Sequence, residues 1–294
     1  MGNKTHTFFI TITMDNLIAY YYNLSVDKFK NIDNGLLVES NNNLYIAKEI
    51  QNMDNFNQIL PNLTSDYYPP LITKEGNYTF NYNGKSYLLF QAINPADKIE
   101  NHLLNIPVLS NITIDYSKIW ENNIDYFIRR ITESEDREVD EINYMNYYIG
   151  MSENAIAINE RAKRINGATR LCISHFRIKY PNYSLTYKDP SELMIDYVSR
   201  DIAEYTKSKF FYDEMDFKEV IALINRYQLS DKEIMFLIAR LMYPNYYFDL
   251  LSDKNIEERE IIINKRKSYE KFLLNLLKQI KTTNLFIEIH WLNI

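Results

Sequence analysis

The sequence predicts an α+β fold of two lobes: an antiparallel, strand-rich lobe over residues 1–93 and a larger helical lobe over 94–294. Three observations lead there. As far as Ile93, apolar residues come in short runs with a period of two, separated by Asn, Gly and Pro. From Tyr116 onward they recur at the helical spacing of three to four. The chain has 294 residues, 46% of them hydrophobic, enough for one large core or two linked ones.

In chain order, residues 7–13 alternate around Phe8, Ile10 and Ile12 as a strand. Residues 15–22 put Leu17, Ile18, Tyr21 and Tyr22 on one helical face, with Asp15 a candidate cap. Two apolar runs, 36–40 and 44–50, flank Asn41-Asn42-Asn43 and predict a hairpin. A short helix over 52–63 follows, and Pro69-Pro70 breaks it. Residues 71–73, 77–82 and 85–93 read as strands, the last two joined by Asn83-Gly84. Residues 110–117 suggest a linking strand. Helices are expected over 116–135, 141–166, 201–211, 216–227, 230–242 and 256–281, and Ser230-Asp231-Lys232-Glu233 has the spacing of a capping box.

Composition narrows the chemistry. A net charge of -6 gives no general attraction to nucleic acid or anionic membrane. The basic run Lys265-Arg266-Lys267 follows Glu257, Glu258 and Glu260 and reads as a solvated helix face. No segment approaches the ~20 apolar residues of a membrane span. Nor does the N-terminus have signal-peptide form, and His6 spoils the myristoylation pattern that Met1-Gly2 begins. A cytoplasmic protein is expected. The single cysteine, Cys172, allows no internal disulfide and reads as a small buried hydrophobe. The six glycines are too scattered to cradle a phosphate in a Walker or Rossmann turn. There is no GxSxG elbow, and the four histidines lack zinc-site spacing. The aromatic stretches 20–22, 67–68 and 246–248 read as core or interface residues.

Several segments, in order along nearly the whole chain, resemble one family. Ile46-Ala47-Lys48 ends a strand where kinase-like folds keep the lysine that grips nucleotide phosphates. GNYTFNYNGKSYLLFQAI (76–93) is similar to the strand pair leading to the hinge. YYIGMSENAIAI (147–158) resembles the helix before the catalytic loop, ISHFRIKYPN (173–182) the loop itself, and DYVSRDIAEY (196–205) the segment after it. LFIEIHWLNI (285–294) resembles the family's ending. These are features of the spore-coat kinase-like proteins (YutH- and CotS-like), within the superfamily of aminoglycoside phosphotransferases and choline kinases. The resemblance implies a two-lobed protein-kinase-like fold.

The loop departs from that family's active members. They carry His-Gly-Asp with Asn five positions after the Asp. Here His175 and Asn182 match, Phe176 replaces the glycine, and Arg177 replaces the catalytic Asp. An arginine stays protonated and cannot accept the acceptor hydroxyl's proton. Asp196 has two alignments. It is either the magnesium ligand of an Ile-Asp-aromatic turn, or the Asp of a Gly-Asp-Pro turn with the metal-binding turn deleted. Asp201 matches a structural Asp that caps its helix and braces the loop. Arg177 itself is expected to pair with Asp196 or Asp201, and Asp54 is the nearest carboxylate candidate for Lys48.

The resemblance thus implies a non-catalytic pseudokinase or a structural, spore-coat-associated protein, with coat or other proteins as partners and a coat location if the host sporulates. The alternative is an ATP-dependent small-molecule phosphotransferase. ATP and magnesium are the cofactors implied if binding survives, with Lys48 and Asn182 holding nucleotide and Asp196 the metal.

Overall fold

In a computed structural model, residues 13–32, 35–63, 67–92, 114–133, 139–178, 188–253 and 256–280 are described. The strand expected over 7–13 and the C-terminal segment 285–294 lie outside them, as does Asn182. The chain divides into two compact units. One takes the described residues of Met1–Ile99 together with those of Ser184–Met194, and the other those of Glu100–Tyr183 and Ile195–Ile294.

The first unit is built on a five-stranded antiparallel sheet. Its elements are helix α1 (Met14–Tyr22), strands β1 (Lys28–Ile32), β2 (Gly35–Ser40) and β3 (Asn43–Glu49), helix α2 (Met53–Ile59), and strands β4 (Thr79–Tyr82) and β5 (Lys85–Gln91). The spatial order is β1-β2-β3-β5-β4. The β2–β3 and β4–β5 hairpins turn through two residues in the left-handed region, Asn41 and Asn42 (φ 49° and 62°), then Asn83 and Gly84 (φ 50° and 77°). Such turns match the natural twist of the flanking strands. The period of two puts Leu36, Val38, Tyr45, Ala47, Tyr87 and Leu89 on one face, under Ile18 of α1. Ile46, Leu88 and Phe90 face the other way, against Phe56 of α2 and Tyr68.

Three local expectations need correction, and one strand was missed. Residues 71–73, read as a strand, form none. Asp15 lies in the first turn of α1, and Thr13 holds the N-cap position. Strand β1 carried no sequence signal because KFKNI has no apolar alternation. It is an edge strand with four of its five residues exposed, and Lys28 and Lys30 discourage further strand pairing. The described end of the supposed linking strand, Tyr116 and Ser117, is already helical.

The second unit holds α3 (Tyr116–Glu133), α4 (Val139–Lys163), β6 (Leu171–His175), β7 (Leu193–Tyr197, whose first two residues fall to the first unit), α5 (Ser199–Tyr212), α6 (Phe217–Arg226), α7 (Asp231–Met242), α8 (Asn245–Asp253) and α9 (Ile256–Gln279). Strands β6 and β7 pair with each other. Helix α4 packs on α3 and α7, α5 packs on α7 and β6, and α9 runs against α5, α6 and α8. Ring stacks tie α3 and α4 to the start of α8: Trp120 on Tyr243 at 4.5 Å, Phe127 on Phe248 at 4.4 Å and Tyr148 on Tyr247 at 3.9 Å. Capping boxes start α6 (Asp216 with Glu219) and α7 (Ser230 with Glu233). Helix α8 was not foreseen from the sequence. It is short, begins directly after Pro244, and opens on strand-prone aromatic residues.

Candidate functional site

Within the first unit, Lys48 lies in β3 opposite Gly35 of β2 and Leu88 of β5. Glycine is needed at position 35, because a Cβ there would stand 2.1 Å from the Ala47 carbonyl oxygen. The Lys48 ammonium meets Asp189 Oδ2 and Glu192 Oε1, each at 2.9 Å. Asp54, the carboxylate suggested by the sequence, is instead exposed in the first turn of α2. Burial works against the ammonium. The two carboxylates outweigh it and hold its pKa above the ordinary lysine value. Both carboxylates come from a segment more than a hundred residues further along the chain. Asp189 is buried and also accepts from Ser191 N at 2.8 Å and Ser191 Oγ at 2.6 Å, which fixes a single 3₁₀ turn over Pro190–Glu192.

In the second unit, β6 delivers His175 at its end and α5 braces it. Asp201 is the third residue of α5, not its cap; the cap position belongs to Val198, which offers no side-chain hydrogen bond. Asp201 Oδ1 accepts from the His175 backbone N at 2.8 Å, and Oδ2 lies 2.8 Å from His175 Nδ1. A carboxylate only accepts, so the ring proton is assigned to Nδ1. Both residues are fully buried.

Arg177 pairs with neither Asp196 nor Asp201. Its Nε and Nη2 fork onto Asp249 of α8 at 2.6 and 3.2 Å, and its Nη1 lies 3.8 Å from buried Glu204. Asp196, at the end of β7, is instead saturated. Its Oδ2 takes Arg200 Nη1 at 2.5 Å, Arg240 Nη2 at 3.0 Å and the Tyr116 hydroxyl. Its Oδ1 accepts from Tyr197 N at 2.6 Å. Burial alone would push the Asp196 carboxyl up, but Arg240 and Arg200 hold it below the usual carboxylate value. Arg200 also donates to the His175 and Phe176 carbonyl oxygens at 2.7 and 2.8 Å. Glu204 accepts from Asn245 Nδ2 at 3.1 Å. Lys207 donates to Tyr243 O at 2.7 Å and to Asn245 Oδ1 at 2.5 Å, and burial pulls its pKa down to about 7.

The loop therefore rests on a lattice of charges that the sequence reading missed: the buried Arg200, Glu204, Lys207 and Arg240, with the half-exposed Asp249 at its edge. A signal was available. Asp196, Arg200, Glu204 and Lys207 follow one another at spacings of four, four and three, and the last three form one stripe of charge on α5. Phe176, by contrast, is 52% exposed, with the Arg177 guanidinium 4.7 Å above its ring. Among the described residues no three His, Cys, Asp or Glu side chains are placed to share a metal ion. No described helix is long and apolar enough to cross a membrane.

Residues 105–289 match the family model described as "Spore coat putative kinase YutH". The chain is 27% identical over 244 residues to the endospore coat-associated protein YutH of Bacillus subtilis strain 168, across 69% of this chain and 72% of that protein. Among solved structures it is similar to an aminoglycoside phosphotransferase from Alicyclobacillus acidocaldarius. There the TM-score is 0.59 at 9% identity, over 88% of this chain and 94% of that one. It is also similar to a spectinomycin phosphotransferase solved with AMP, with a TM-score of 0.53 at 12% identity, over 89% and 93% of the two chains. At such identities the likeness is one of fold, and the fold is kinase-like.

Proposed function

The chain belongs to the YutH family of spore-coat kinase-like proteins, and from that premise we propose that it is a pseudokinase: a kinase-fold protein that works in or on the endospore coat by associating with other proteins. The observation that carries this reading is Arg177. It stands at the position of the catalytic Asp, and Asp249 and Glu204 engage its guanidinium. A group with no lone pair to offer cannot take the acceptor hydroxyl's proton. General-base assistance is typically worth ~10²–10⁴-fold in rate.

The described residues do not fit magnesium either. Metal ligand was one of two readings of Asp196, and two guanidiniums and a phenol already occupy it. Losing charge neutralisation by metal removes what is usually the largest electrostatic contribution to such a transfer. These contacts favour the second alignment, in which the metal-binding turn is deleted. Coat association is proposed from the coat-associated relative in Bacillus subtilis. The phosphotransferase alternative keeps two supports, Lys48 and Asn182 at their family positions.

The test is ATP consumption by the purified chain with Mg²⁺ or Mn²⁺ and a panel of amino-alcohol and sugar acceptors. No turnover above background is expected. Turnover near ~1 s⁻¹, the lower end for kinases, and abolished by Lys48→Ala, would replace the pseudokinase with a small-molecule kinase.

A further inference from the structure

We propose that residues 188–193 form a built-in anionic occupant of Lys48, so that the lysine a kinase would offer to nucleotide phosphates is closed by the chain itself. This deepens the reading above: it rests on Lys48 standing at the kinase-lysine position, and it stands or falls separately from Arg177.

The geometry is that of a strap pinned at both ends. At one end the Tyr68 backbone N donates to the Lys188 carbonyl at 2.9 Å. At the other, Asn55 Nδ2 donates to the Leu193 carbonyl at 2.9 Å. The anchors come from α2 and from the buried Tyr68, whose ring stacks on Phe90 of β5 at 5.7 Å, so the strap is held on the sheet's own core. Between the pins, Asp189 and Glu192 put two carboxylate oxygens on one ammonium at equal distance. An ammonium has three N–H donors, and two here point at charged acceptors. Those are the charge-assisted bonds that a phosphate would otherwise accept. In active kinases the same lysine meets one helical glutamate and keeps the rest of its charge for phosphate. Here both partners come from the strap, and Asp189 is 1% exposed while Lys48 is 13% exposed. Nucleotide would have to displace a buried, hydrogen-bonded carboxylate before reaching the lysine.

The experiment is a thermal-shift titration of the full chain with Mg-ATP and, separately, inorganic tripolyphosphate, with ATP consumption followed in the same samples. The wild-type chain is expected to show no shift with either. The pair D189N/E192Q removes both charges and keeps the shapes. It should acquire an upward shift of several degrees, as any ligand that binds only the native state must produce, and adding K48A should abolish it. If circular dichroism shows D189N/E192Q unfolded, E192Q alone is used. Its residue is a third exposed, and a smaller shift of the same sign is expected. A wild-type shift abolished by K48A overturns the strap. So does a folded charge-removed variant that gains no shift. Binding without consumption by the wild-type chain overturns the strap and leaves the Arg177 reading intact, whereas consumption overturns the Arg177 reading.

Discussion

Placing an aspartate at position 177 is the obvious test of the proposed pseudokinase, and the contacts of Arg177 imply that it will first harm the fold. Arg177 is 19% exposed and its two carboxylate partners are unequal. Asp249 is 45% exposed, so the screened half of the interaction contributes little. Glu204 is completely buried at 3.8 Å. With an effective dielectric of ~20, two unit charges at that distance interact by about 4 kcal/mol. Arg240, also 3.8 Å from Glu204, and the Asn245 amide compensate part of the loss. Arg177→Ala is therefore expected to cost about 2 kcal/mol. Arg177→Asp adds a like charge and should cost about 3–5 kcal/mol, the range for leaving a buried charge unpaired. Chemical denaturation of the three proteins measures this.

pH gives a sharper control. Burial pushes the Glu204 carboxyl up, but Arg177, Lys207, Arg200 and Arg240 together hold it below the usual value. Its folded pKa is depressed, so its stabilising contribution is present above the unfolded pKa and lost as pH falls through the folded one. The gap between wild type and Arg177→Ala should therefore narrow as pH falls, because without Arg177 the folded Glu204 protonates at a higher pH than it does in the wild type. Equal denaturation midpoints for all three proteins at neutral pH would refute the reasoning. So would an Arg177→Asp variant more stable than Arg177→Ala.

Two further outcomes follow from the same lattice. Asp201→Ala should lower stability by ~1–3 kcal/mol, because the buried His175 N–H and ring Nδ1 lose their acceptor together; an unchanged melting curve would contradict that bracing role. Lys207 has a folded pKa pulled down to about 7, whereas the unfolded side chain stays protonated to ~10.4. Between those values the unfolded chain binds more protons, so stability rises with pH. Wild type should gain on Lys207→Met across that window, and parallel pH–stability curves would count against it.

Period and turn chemistry made most of the architecture legible. Strands β3 and β5 read as short unbroken apolar runs, Tyr45-Ile46-Ala47 and Tyr87-Leu88-Leu89-Phe90, because the sheet is buried on both faces, and Asn-Gly and Asn-Asn are the residues that tolerate the left-handed turns found there. Ser230 and Glu233 announced a helix start that is formed as the spacing demands. Boundaries decided by tertiary contact were not legible. Strand β1 exists because β2 offers an edge, and Asp201 sits inside α5 because the chain turns helical two residues before it. The partners of Lys48 were hidden for a related reason: they lie 141 and 144 residues further on, and no local pattern encodes a pairing across that distance. That an arginine, Arg177, stands where the family resemblance puts the catalytic Asp was visible at once. What neutralises that arginine depended on α8, a helix the sequence had not announced.

The one cysteine has a practical consequence. Cys172, the second residue of β6, is 3% exposed, and burial raises its thiol pKa to about 11. A native chain therefore presents almost no thiolate at neutral pH and little surface for an alkylating reagent to reach. While folded, it has no reactive sulfur with which to be stitched covalently to a neighbouring protein. When the strand opens the thiol becomes available, so the rate of its capture by an excess of reagent times the opening of the segment that carries His175.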